Sequence, residues 1–294
     1  MNTSESGALH GVRVYQLMNW RRFPEAIREA ENWIAEDPEN SDAYGMLAQV
    51  HLKAGSYDQA LHWSSESLRC DPENPIAWFV RTITLYSQGE EKLFMEAVVE
   101  AQRIDPLESH YPFLKFNLYH KKGSLKEARE ELDQALRLNP DRALYLAADS
   151  YLRANSRDFE SSLASEGMAL FQDPEDDQTF LHLAWAANRR GDYGKELEFM
   201  KNAVRIDPAD EQIRAEYLSS LQKKYWFYRV LLMPFVVKKR LARWQFLLIW
   251  IVLWLVFRPL VVLFLLLYVL AHWASRLMVR VQVFGWRSLF RKIS

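Results

Sequence analysis

Of the residue types that carry most enzyme chemistry, this 294-residue chain has seven histidines and one cysteine. The histidines stand at positions 10, 51, 62, 110, 120, 182 and 272, and no two of them sit at metal-ligand spacing beside an acid. His110 and His120 share one expected helix ten residues apart, which points to a surface or groove. No glycine-rich loop offers a cradle for phosphate, and no nucleophile can be paired with a base. The expectation is a protein that is not an enzyme and holds no cofactor and no metal. His272 falls inside an apolar run, where an ionisable group in a bilayer would be functional. Interface placement beside Trp273 is the competing reading. The lone Cys70 leaves no internal disulfide to form and suits a reducing compartment.

With catalysis set aside, recognition remains, and the prolines say what would position it. Asp-Pro-Glu-Asn occurs at 37–40 and again at 71–74. The same 34-residue step carries Pro38 and Pro72 on to Pro106, Pro140, Pro174 and Pro208, each preceded by Asp or Asn. A fixed period of this size marks stacked two-helix units. Within one period, Tyr44, Leu47, Ala48 and Leu52 fall at helical steps, Gly55 interrupts them, and Tyr57, Ala60, Leu61 and Leu68 resume. Pro72 cannot continue a helix, and Asn74-Pro75 reads as an N-cap with proline at the first helical position. Gly89, Gly123 and Gly191 recur at the place of Gly55. Ser67, Ala101, Ala135, Ala169 and Ala203 recur where neighbouring helices must approach closely.

These residues resemble the tetratricopeptide repeat (TPR) family, with an aromatic at position four, glycine at fifteen, small residues at eight, twenty and twenty-seven, and proline at thirty-two. The likeness runs over residues 7–210 as six repeats: 7–40, 41–74, 75–108, 109–142, 143–176 and 177–210. Trp33, Phe94, Phe116, Ser162 and Glu196 depart from the small positions, and Arg21 and Arg157 from the glycine. Residues 1–6 read as a flexible N-terminus. A solenoid needs a polar end cap, and 211–224 fits one. The expected fold is all-α: a TPR solenoid with its capping helix, then a membrane helical hairpin flanked by amphipathic helices.

The resemblance implies a concave groove for a partner protein or peptide. The family's groove positions fall here on Tyr15, Gln49, Phe79, Ile83, Tyr86, Phe113, Asn117, Tyr151, Leu181 and Trp185. No repeat has the Lys-and-Asn pair that family members use to clamp a C-terminal carboxylate. The lining is instead aromatic and apolar, suited to burying side-chain anchors. For Phe79, Tyr86 and Phe113, packing between repeats competes with binding.

The last seventy residues are a different material. Residues 225–294 contain eleven of the 37 Lys and Arg and none of the 38 Asp and Glu. The first 224 are therefore net −12 and the tail net +11. Six of the eleven Trp also lie in the tail, which favours a bilayer interface over nucleic acid, the other partner of a basic segment. Two apolar runs, 244–257 and 260–275, are split by Arg258-Pro259. As helices they reach about 21 and 24 Å, each short of a hydrocarbon core of about 30 Å. A hairpin or shallow wedge over 244–275 keeps Arg258 from the bilayer centre. A single kinked span and a buried soluble helix pair are the alternatives.

Charge counting favours the hairpin, because basic residues flank both sides of the runs: Lys238, Lys239, Arg240 and Arg243 before, Arg276, Arg280, Arg287 and Arg291 after. With Arg258, these are the expected contacts to anionic lipid. The segment 225–243 reads as basic, aromatic and interfacial, and 276–294 as a basic amphipathic helix. The start of the chain has no charged segment followed by an apolar run, so no export signal is expected. The combined expectation is a membrane-anchored TPR adaptor or scaffold with its repeats on the cytoplasmic side. The alternative is a structural subunit of a membrane complex, its tail packed on other membrane subunits.

Overall fold

The computed structural model describes residues 3–172, 174–223, 225, 227–228, 230, 247–248, 251–252 and 258–284. The chain forms two compact units, Met1–Pro140 and Asp141–Ser294. The first holds α1 (Thr3–Asn19), α2 (Phe23–Glu36), α3 (Ser41–Lys53), α4 (Tyr57–Cys70), α5 (Pro75–Gln88), α6 (Glu91–Ile104), α7 (His110–Lys122) and α8 (Leu125–Leu138). The second holds α9 (Ala143–Asn155), α10 (Phe159–Phe171), α11 (Asp177–Arg190), α12 (Tyr193–Ile206), α13 (Glu211–Gln222) and α14 (Arg258–Phe284). Among the described residues there is no strand. Over these residues the all-helical expectation holds, while most of the first half of the expected hairpin lies outside them.

The period is visible in how the helices start and stop. Asn40, Asn74, Asp176 and Asp210 are N-caps whose side chains accept from the N–H three residues on, at 3.3, 2.9, 2.7 and 2.8 Å. Pro75 follows Asn74 at the first helical position, where a missing N–H costs nothing. At the other end of the first helix of each pair, residues 21, 55, 89, 123, 157 and 191 all have φ between 57° and 84°. Four are glycine, but Arg21 and Arg157 take the same left-handed conformation. In all six, the next N–H reaches back five residues: Arg22 to Leu17, Ser56 to His51, Glu90 to Leu85, Ser124 to Tyr119, Asp158 to Arg153 and Asp192 to Ala187, at 2.9–3.0 Å. This is the Schellman closure, and it fixes the turn even where the side chain disfavours it.

Packing explains the small residues. Ser67, Ala101, Ala135, Ala169 and Ala203 are completely buried. Gly45 on α3 lies so close to α5 that a Cβ there would stand 3.2 Å from the Ile76 side chain. The first unit handles its oversized Trp33 differently. Gly7 and Gly11 on α1 lie against the indole, and a Cβ at Gly7 would crowd it at 3.3 Å, while one at Gly11 would reach ordinary contact at 3.5 Å. Around it, Val14, Leu17, Ala26, Ala30 and Leu47 complete a core. Farther along, Phe94, Ala101, Tyr111 and Leu114 form another, with Phe79, Ile83 and Tyr86 packed on it.

Candidate functional site

In the first unit, α1, α2, α3 and α5 border an open pocket of about 550 Å³ lined by Tyr15, Gln16, Trp33, Asp42, Met46 and Ile76, among others. Tyr15 is 54% exposed and Asp42 is exposed beside it, so the pocket joins an apolar floor to a polar rim.

The other expected groove residues divide by burial. Gln49, Phe79, Ile83, Tyr86, Asn117 and Trp185 are half-buried and keep accessible surface. Phe113, Tyr151 and Leu181 are 3, 8 and 2% exposed and present little to a ligand. Tyr151, at the ninth position, is covered by Ala154, Ala186 and Trp185, and for Phe113 and Leu181 the reason lies in the fifth position of the repeats. Gly45 faces Ile76 of the next repeat, and the Phe79 ring lies 5.9 and 6.2 Å from those of His110 and Tyr111. Such positions hold neighbouring repeats together. Burial also pushes the phenols of Tyr86 and Tyr111 above their ordinary range, with Asp105 and Glu108 adding to the rise at Tyr111. In the second unit, Trp185 packs on Tyr151 at 5.6 Å, and the Arg189 guanidinium lies 6.0 Å from the Tyr151 ring centre.

His110 and His120 are half-buried members of a row of rings along α7. His110–Phe113, Phe113–Phe116 and Phe116–His120 are separated by 6.1, 5.4 and 5.9 Å. Their environment is aromatic packing. Among the described residues no group of His, Cys, Asp and Glu is arranged to hold a metal ion.

The second candidate surface is α14. It begins at Arg258, where the sequence breaks the two apolar runs, and continues past residue 275 to Phe284. Its stretch Val262–Val283 is long and apolar enough to cross a membrane. Val262, Leu263, Leu265, Leu266, Leu267, Val269 and Leu270 are each about half or more exposed. Arg276 and Arg280 are exposed on the same helix. His272 is half-buried, its ring 6.1 Å from that of Tyr228 and 6.3 Å from that of Tyr268. Most of the first apolar run lies outside the described residues, as do Lys238, Lys239, Arg240, Arg243, Arg287 and Arg291. Of Arg258 only the backbone is described.

Helix pairs with a 34-residue period, closed by one recurring turn, match known proteins directly. Models described as tetratricopeptide repeat match residues 21–89 and 113–158. The chain carries tetratricopeptide repeats. It is similar to a TPR repeat-containing protein of Methanocaldococcus jannaschii, at 28% identity over 116 residues. That alignment covers 40% of this chain but 18% of the relative, so the chain spans less than a fifth of that protein's length. Among solved structures, the Cut9–Hcn1 hetero-tetramer of the APC/C superposes with a TM-score of 0.65 at 14% identity, over 78% of this chain and 45% of the other. A Pseudomonas aeruginosa PilF structure superposes at 0.58 with 17% identity, over 76% of this chain and all of that one. At such identities the likeness is one of fold.

The TPR framework also accounts for a set of polar residues that sequence reasoning missed. Ser150 and Ser162 hold two small-residue positions of one repeat and exchange hydrogen bonds at 2.8 Å. Arg190 from α11 donates to the Ser162 Oγ at 2.6 Å and pairs with Glu166 on α10, which Lys195 on α12 also contacts at 2.6 Å. Glu196, at another small position, accepts from Asn188 at 2.7 Å and from Lys223 at 2.6 Å. The signal was present as Ser162 and Glu196 standing where the repeat wants alanine. Their partners come from other helices, and helix pairing alone did not reveal them.

Proposed function

We propose that this chain is a scaffold tied to the cytoplasmic face of a membrane, holding a protein or peptide partner on its tetratricopeptide repeats. The observation that carries the reading is α14, an exposed apolar helix inside a tail with eleven basic and no acidic residues. A water-soluble surface rarely leaves so long an apolar stretch uncovered. In this reading residues 7–210 form six repeats, 211–224 cap them, and 244–275 are the lipid-embedded hairpin or wedge. In the first unit, Tyr15 and the pocket beside it, with Gln49, Phe79, Ile83, Tyr86 and Asn117, form the accessible partner surface; in the second, Trp185 does. Phe113 in the first unit, and Tyr151 and Leu181 in the second, are the buried support within their own units. The basic residues on both sides of the apolar runs hold anionic headgroups.

Two measurements test this. The full chain should stay with membranes through high salt and alkaline carbonate, because burial in lipid is not screened by ions. Deleting 244–275 should leave weak, salt-sensitive binding through the flanks. Full-length protein in the soluble fraction would count against the anchor. Affinity purification in mild detergent, with and without 225–294, separates the roles. An adaptor keeps its repeat-bound partner in both forms, whereas a subunit packed through its tail loses its partners with the tail.

Single cysteines at Glu5, Arg258 and Ile293, in a Cys70→Ser background, test sidedness with an impermeant reagent. Positions 5 and 293 should both be shielded in sealed cells. Labelling of 293 but not 5 from outside would mean a single span.

A further inference from the structure

The tail helix is not free on every side. Ala271, Ser275 and Val279 are 9, 0 and 3% exposed, at steps of four that place them on one face of α14. α14 packs against α13, the polar helix that follows the last repeat. Just beyond α13, the Tyr228 hydroxyl lies 3.4 Å from His272 Nδ1 and the Tyr225 hydroxyl 3.4 Å from Gln282 Oε1. The helix is therefore held sideways to the protein from Ala271 to Gln282, over roughly three turns. On the opposite side, Leu263, Leu266, Leu270, Trp273 and Leu277 form a stripe, each between 52 and 73% exposed.

This arrangement excludes a simple crossing. A perpendicular α14 would carry its packed strip, and with it the charged surface of α13, into hydrocarbon, where ionised side chains are strongly disfavoured. Without the packed part, only Leu260–Leu270 remains, eleven residues or about 16 Å of helix, half of a core of about 30 Å.

We infer that α14 lies along the surface of an anionic bilayer, with its Ala271–Ser275–Val279 face turned to the protein and its Leu263–Leu277 stripe in the acyl region. This rests on the reading of the tail as membrane-bound and, between the hairpin and the wedge, selects the shallow wedge. Arg276 and Arg280, exposed and one turn apart, then stand at headgroup level. A second copy of the chain is the competing occupant, since steps of three and four also suit a two-helix seam. Residues flanking such a seam are usually charged. Here Val262, Leu265, Leu267 and Val269 are apolar and about half exposed, a breadth that lipid covers and one partner helix does not.

The test uses the full chain with Cys70→Ser and single cysteines at Leu263, Leu266, Leu270, Leu277 and Ser275, each carrying an environment-sensitive fluorophore. Vesicles of phosphatidylcholine and phosphatidylglycerol with brominated acyl chains report depth. The stripe positions should be quenched to a common, shallow depth, and position 275 should remain unquenched. Depth changing steadily along the helix, with 263 far deeper than 277, would overturn the in-plane geometry while leaving membrane binding intact. Stripe probes shielded without lipid in a concentration-dependent way would assign the stripe to a second copy. Failure of the chain to float with vesicles would sink the membrane reading itself. Leu266→Asp and Leu270→Asp should each lower the vesicle partition constant about tenfold or more. Both residues are exposed, so thermal melting of the repeats should not move.

Discussion

Arg190 of α11 and Glu166 of α10 form an ion pair whose side chains are only 6 and 3% exposed. It links two successive helix pairs of the second unit and draws in Ser162 and Lys195. A buried pair of this kind adds little over a well-packed apolar contact, yet half of it is costly. Glu166→Ala should lower the stability of this unit by about 3–5 kcal/mol, because Arg190 stays buried and uncompensated. The double substitution Glu166→Leu with Arg190→Met should recover most of the loss. Urea unfolding followed by far-ultraviolet circular dichroism checks both, and an additive double mutant would refute the coupling.

Arg21 and Arg157 occupy a conformation that four glycines hold elsewhere in the repeat. A left-handed residue with a Cβ costs roughly 1–2 kcal/mol, partly offset because glycine gains more freedom in the unfolded chain. Arg21→Gly and Arg157→Gly should therefore each raise the stability read from urea unfolding, by about 0.5–1 kcal/mol. Gly123→Ala should lower it by a similar amount. A destabilised Arg157→Gly would mean that the arginine side chain contributes more than its backbone strain removes.

Two helical glycines should respond oppositely to alanine. Gly167 on α10 has open space where a Cβ would go, so Gly167→Ala should stabilise by about 0.5–1 kcal/mol through helix propensity alone. Gly45 faces the Ile76 side chain at 3.2 Å, so Gly45→Ala should forfeit that gain and destabilise. Ile76→Ala in the same chain should relieve the crowding. Equal responses at 45 and 167 would contradict the close approach of α3 and α5.

Acid should weaken the first unit through His51. Burial lowers its pKa below the ordinary 6.5, against the opposing pull of Glu31, and its Nδ1 is buried without a hydrogen-bond partner. The folded state thus binds the proton less readily than the unfolded chain. The stability held by the neutral ring is complete above about pH 6.5 and declines as pH falls below it. His51→Gln should flatten that decline in unfolding midpoints taken from neutral to mildly acidic pH. An unchanged slope would assign the pH dependence to other groups.

The sequence by itself determined the repeat. Its prolines, N-caps and turn glycines act within a few residues of themselves, so their period could be read without knowing any partner. The register survives even at Arg21 and Arg157, because the closing hydrogen bonds are made by backbone. The small residues at 67, 101, 135, 169 and 203 likewise foretold complete burial, since only close helix contact explains them. The tertiary structure decided what depends on neighbours distant in the chain. It buried Phe113, Tyr151 and Leu181 among packed helices and left Tyr15 exposed. It joined Glu166 to Arg190, and it gave α14 a packed side that its apolar composition did not disclose. A side chain's exposure is set by what folds against it, and periodicity along one helix carries no record of that.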